Sequence, residues 1–121
     1  MSLTIAAACA DLLFAARVRA AAEAAGGSAV LLTRRDDLPA RIRSVMPALL
    51  LLDLDAPWLD APALIRTLKA EPLTDGIPVV AFGSHVRTDV LESARAAGAD
   101  RVLVRSAFVR QLPELLGTRA S

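Results

Sequence analysis

The side chains suited to chemistry fall at the ends of apolar runs: Cys9 and Asp11, Asp53 and Asp55, Ser84 and His85, and Arg105. An acid that closes a buried strand can cap backbone amides or pair with a cation, and a guanidinium, always charged, forks onto carboxylates. His85 is the only histidine. It has no nucleophile or metal partner at useful spacing and reads as an exposed loop residue. Cys9 is the only cysteine, which excludes an intramolecular disulfide and a Cys-rich metal site, and it reads as a small buried hydrophobe. The Gly-x-Ser-x-Gly elbow, the His-Glu-x-x-His zinc motif and Cys-x-x-Cys pairs are absent. The stretch Cys9-Ala10-Asp11-Leu12 offers no nest of small residues for a phosphate or flavin. An independent enzyme is not expected.

Five apolar runs alternate with five helical patterns and would position these residues. The strand candidates are 3–9, 29–32, 48–52, 78–82 and 101–104. The helix candidates are 12–25, 37–45, 62–70, 88–97 and 108–116. Asp11 suits the first helix as its N-cap and Gly26-Gly27 stop it; Pro39 fits the first turn of the second helix; Gly98 ends the fourth. The unbroken run Ala48–Leu52 reads as a strand buried on both faces, as in a parallel sheet covered by helices. The expected fold is α/β, a doubly wound (βα)5 domain of flavodoxin-like type with a five-stranded parallel sheet in the order 2-1-3-4-5, filling residues 1–121 as one domain. Function then belongs at the carboxyl ends of the strands.

Composition narrows the classes further. With 55% hydrophobic residues the chain has ample core, so disorder is excluded. Its 14 Lys and Arg against 13 Asp and Glu argue against a nucleic-acid or polybasic membrane surface, which needs unopposed cations. The charge-free runs 45–52 and 1–10 fall well short of the roughly 20 residues of a membrane span. No secretory leader is recognisable, and a cytoplasmic protein is expected. Arg outnumbers Lys, with Lys69 alone, which together with the many alanines suggests a bacterial source.

The segments Leu-Leu-Leu-Leu-Asp-Leu-Asp-Ala-Pro (49–57), Ile-Pro-Val-Val-Ala-Phe (77–82) and Ala-Gly-Ala-Asp-Arg-Val-Leu-Val-Arg (97–105) resemble the response-regulator receiver domains of two-component signalling. The resemblance covers nearly the whole chain in element order and spacing. It implies that Asp53 is the phosphoacceptor position, followed by the usual proline at Pro57. It also implies a Mg²⁺ bound by an acidic pair, but those positions are Cys9 and Ala10. Only Asp11, Asp53 and the Asp55 backbone carbonyl remain to hold a metal. The hydroxyl position falls on Gly83, or on Ser84 after a one-residue slip. The switch aromatic becomes Val102, the lysine becomes Arg105 and the proline after it Ser106. An ion pair between Arg105 and Asp53 would hold such a pocket closed without metal, attracting by roughly 4 kcal/mol at 4 Å before desolvation.

The resemblance further implies a partner surface on the fourth helix, fifth strand and fifth helix. Here it would carry Arg87, Leu91, Arg95, Arg101, Val102, Phe108, Val109, Arg110 and Leu112; the alternative is that the apolar members belong to the core and the arginines to a solvated face. Three readings stay open. The first is a pseudo-receiver that needs no cofactor and acts through a signalling partner or as a homodimer. The second is an atypical response regulator phosphorylated on Asp53, with Mg²⁺, Asp11 and Ser84 assisting. The third is a small ligand-binding or catalytic protein on the same scaffold. Trp58, the only tryptophan, is expected in the loop just beyond Asp53 and would report on that pocket.

Overall fold

The computed structural model describes residues 3–120. Five strands and five helices alternate: β1 (Thr4–Ala8), α1 (Leu12–Ala24), β2 (Ser28–Leu32), α2 (Leu38–Val45), β3 (Leu49–Asp53), α3 (Ala61–Lys69), β4 (Val79–Gly83), α4 (Thr88–Ala97), β5 (Arg101–Val104) and α5 (Arg105–Ala120). Every strand pairing is parallel and the order is β2-β1-β3-β4-β5, the expected topology. The element boundaries fall within a residue or two of expectation except for the last helix. Expected over 108–116, α5 instead springs directly from β5 at Arg105. Phe108, fully buried against the sheet, and Arg105, bonded beneath it, fix that early start through tertiary contacts.

Successive strand residues face opposite sides, so the sheet has two cores. Ala6, Leu50, Leu52 and Ala81 meet Ile42, Ile65, Leu68 and Leu91 of α2, α3 and α4. Ile5, Leu49, Leu51 and Phe82 meet Phe14, Val18, Phe108, Leu112 and Leu116 of α1 and α5. All five residues of β3 are buried, as its unbroken apolar sequence requires. Asp11, Asp37 and Asp60 cap α1, α2 and α3, accepting from Leu13 N, Ala40 N and Ala63 N at 2.8, 3.2 and 3.2 Å. Among the described residues no helix is long and apolar enough to cross a membrane.

The turn after α1 needs both of its glycines. Gly26 has φ +82°, in the left-handed region. At Gly27 a Cβ would stand 2.2 Å from the backbone oxygen of Leu3, which accepts from Ser28 N at 2.7 Å as the sheet begins. Backbone cannot move aside without breaking that bond. Gly27→Ala is expected to lower unfolding free energy by about 1–3 kcal/mol, measured by urea titration, and an unchanged midpoint would contradict the close approach.

Candidate functional site

The carboxyl end of β3 places Asp53 at the centre of the sheet, opposite Phe82 of β4, with 1% of its surface exposed. A buried carboxylate must have its oxygens bonded, and here both are. Asp53 Oδ1 accepts from Arg105 Nη2 at 2.7 Å and from Asp55 N at 3.0 Å; Oδ2 accepts from Ala10 N at 3.2 Å. The same Arg105 nitrogen donates to Asp55 Oδ2 at 3.0 Å. Asp55 Oδ2 also accepts from Ser84 N at 3.0 Å, and its Oδ1 from Arg87 Nη1 at 3.4 Å. One guanidinium therefore bridges two acids, and the second acid holds another.

The three phenylalanines of the chain form one cluster beside this ion pair. Phe82 and Phe108 stack with centroids 4.0 Å apart, and Phe14 meets both edge-on at 4.9 and 5.5 Å. The Arg105 Cζ lies 4.7 Å from the Phe14 centroid and 5.3 Å from that of Phe82, placing the cation against aromatic faces. Burial disfavours the Arg105 charge, but hydrogen bonds and attraction from Asp55 and Asp53 outweigh it and raise its pKa above the ordinary value. The guanidinium is a fixed positive charge at any working pH.

The acidic-pair positions supply no acid. Ala10 contributes only its N–H to Asp53, and Cys9 packs half-buried beside the α1–α5 core. Burial first, then the Asp53 charge, push the Cys9 thiol up to about 12, with Arg105 opposing. A thiol raised in this way stays protonated while the unfolded chain ionises. Its contribution to stability is intact below the ordinary 9.0 and is lost as pH rises toward about 12. Alkylation of native Cys9 by iodoacetamide near pH 8 is expected to run on the order of a thousandfold slower than in denaturant, and rates within tenfold would contradict the burial.

Mg²⁺ needs several hard oxygen ligands with space for water. These residues do not fit it. Asp11 uses Oδ1 to cap α1, a protonated thiol is a poor ligand, and the guanidinium stands between the two remaining carboxylates. Among the described residues no three His, Cys, Asp or Glu side chains converge to hold a metal.

The other aligned positions are also spoken for. At Gly83 a Cβ would meet Leu54 Cβ at 3.1 Å, and Asp55 Oδ1 and Leu91 Cδ2 at 3.6 Å, so neighbours close in on the space of a hydroxyl side chain. The Ser84 hydroxyl accepts from Val86 N at 3.5 Å within its own loop, while its backbone N–H goes to Asp55. Val102 is half-buried against the α2–α4 core, and His85 is exposed. On the expected partner face a correction is needed: Leu91, Phe108 and Leu112 are 9, 0 and 2% exposed and belong to the core. Their helical spacing marks the sides of α4 and α5 that press on the sheet. Arg87, Arg95, Arg101 and Arg110 are exposed, with Val102 and Val109 half-buried. Arg95 pairs with Glu92, and Arg101 donates to Gln111 Oε1 at 2.8 Å.

The resemblance gives Asp55 only a backbone carbonyl at a metal site and places Arg87 only on the outer face. The structure brings them together across 32 positions. The one local signal is that α4 begins after an arginine that provides no side-chain cap.

No family model and no curated protein matches the sequence. Solved structures do match along almost its full length. The chemotaxis response regulator CheY4 of Vibrio cholerae superposes with TM-score 0.81 at 14% identity, covering 98% of this chain and 99% of that one. A response-regulator receiver domain from Bermanella marisrubri gives 0.80 at 20% identity and complete coverage of both chains. The phosphorylated cyanobacterial phytochrome response regulator RcpA gives 0.72 at 20% identity, with 98% and 91% covered. With the strand order, these likenesses establish that the chain has the fold of the response-regulator receiver domain.

Proposed function

We propose that this chain is a receiver-like signalling module, a pseudo-receiver, that acts in the cytoplasm of a bacterium through protein–protein contact and does not use Mg²⁺-dependent phosphorylation. The observation that carries this reading is the Arg105 guanidinium between Asp53 and Asp55. It supplies the positive charge that a divalent ion would otherwise bring and ties up the Asp53 oxygen that would attack a phosphoryl donor. Asp53 Oδ2 is held in turn by Ala10 N. Without a hydroxyl at Gly83 or an aromatic at Val102, a modified Asp53 would lack the two groups that the resemblance associates with switching.

Output then rests on the outer surface of α4, β5 and α5. On α4, β5, α5 and the turn before α4, exposed Arg87, Arg95, Arg101 and Arg110 and half-buried Val102 and Val109 have a composition suited to binding a signalling partner or a second copy of this chain. No catalytic turnover and no nucleic-acid contact is assigned.

Incubation with Mg²⁺ and a small phosphodonor such as acetyl phosphate, followed by intact-mass measurement, tests the reading. An unchanged mass is expected. A phosphoryl adduct on the wild type that disappears in Asp53→Asn would overturn it and favour the phosphorylated response regulator instead.

A further inference from the structure

Asp55 holds together elements far apart in sequence. Its carboxylate accepts from Arg105 at the start of α5, from Ser84 N just past β4, and from Arg87 immediately before α4. Its own N–H donates to Asp53 Oδ1, and both acids draw on the same Arg105 nitrogen. A continuous line of charged contacts thus runs from Asp53 through Arg105 and Asp55 to Arg87. At its far end α4 starts without a capping side chain, since a guanidinium has no acceptor for the first-turn N–H groups, and Arg87 instead reaches back to Asp55. Arg87 also lines a cleft of about 440 Å³ with Trp58, Asp89 and Ser93, so the end of the line is open to solvent.

We propose that Asp55 is a positioning residue that couples the Asp53–Arg105 ion pair to the N-terminal end of α4. While Asp53 is anionic, Arg105 divides its donor between the two acids and Asp55 keeps negative charge for Arg87. Where the Asp53 carboxylate is replaced by a neutral amide, Arg105 is left to Asp55 alone, which offsets its charge and weakens the hold on residues 84–87. This ionic route joins the pocket to the partner face where Gly83 and Val102 provide neither hydroxyl nor aromatic ring. The proposal goes beyond the signalling reading and stands or falls independently of whether Asp53 accepts a phosphoryl group.

Hydrogen exchange read by mass spectrometry on the whole chain tests it, comparing residues 84–91 with residues 38–45 of α2 as an internal control. In Asp53→Asn, a change that keeps the side-chain shape, residues 84–91 are expected to exchange about threefold faster or more with α2 unchanged. Asp55→Asn should give a similar rise, and the double variant should exchange no faster than Asp55→Asn alone. If Asp55→Asn fails to fold, Arg87→Gln at its exposed site serves instead, and Asp53→Asn must then add less than it does in the wild type. The proposal is overturned if Asp53→Asn leaves 84–91 unchanged or raises exchange equally in α2. It is also overturned if the double variant shows the product of the single effects.

Discussion

Replacing Arg105 with methionine is expected to lower unfolding free energy by about 3–5 kcal/mol, the cost of leaving a buried carboxylate without its cation. Methionine keeps much of the apolar stem against Phe14, so the loss reports on the charge. With 33% of the Arg105 side chain exposed, water can reach the vacated site, which favours the lower end of that range. The partner substitution decides the cause. Asp53→Asn combined with Arg105→Met removes both charges and should recover much of the loss, because the penalty is the unpaired charge more than the missing attraction. Urea titrations of the four proteins measure this. A single-variant loss under about 1 kcal/mol would place the pair with ordinary surface salt bridges and contradict its structural role.

Phe82→Ala is expected to cost about 3–5 kcal/mol as well, for a different reason. Phe82 is fully buried, stacks on Phe108 at 4.0 Å and meets the Phe14 edge at 4.9 Å. Its removal opens a cavity beside Arg105 and takes away one of the two rings against which the guanidinium lies. Combined with Arg105→Met, the two losses should fall short of their sum, since residues in contact couple by about 0.5–3 kcal/mol. Strict additivity would show that the aromatic cluster and the ion pair are independent.

The fold was legible because parallel strands buried on both faces write themselves as continuous apolar runs, and Leu49–Leu52 closed by Asp53 is the clearest example. Caps at Asp11, Asp37 and Asp60 and the turn at Gly26-Gly27 punctuated the helices in the usual way. The start of α5 was not legible. Arg105, Ser106 and Ala107 carry no apolar periodicity, and what begins the helix there is a bond to acids some 50 residues away. Periodicity also could not say which side of α4 and α5 faces a partner, because Leu91, Phe108 and Leu112 show the same spacing whether a stripe meets the sheet or another protein. At the site, the resemblance singles out Asp53 and Arg105, and the structure joins them in one ion pair. The bond between Asp55 and Arg87, and the packing of Phe14 and Phe82 against one guanidinium with Phe108 stacked on Phe82, are tertiary facts whose one local trace is the uncapped arginine before α4.

Trp58 gives the most direct test of the claim that a tethered cation stands where a divalent ion would be needed. It lies half-buried in the loop after β3 and shares its cleft with Arg87, so ion binding at Asp53 and Asp55 would disturb its surroundings. Mg²⁺ is titrated while tryptophan fluorescence is followed, and beryllofluoride is then added as a phosphoryl mimic. The predicted result is a flat trace at both stages. A saturable change in the wild type that is lost in Asp53→Asn would contradict the account, because it would mean that Arg105 yields the pocket to metal.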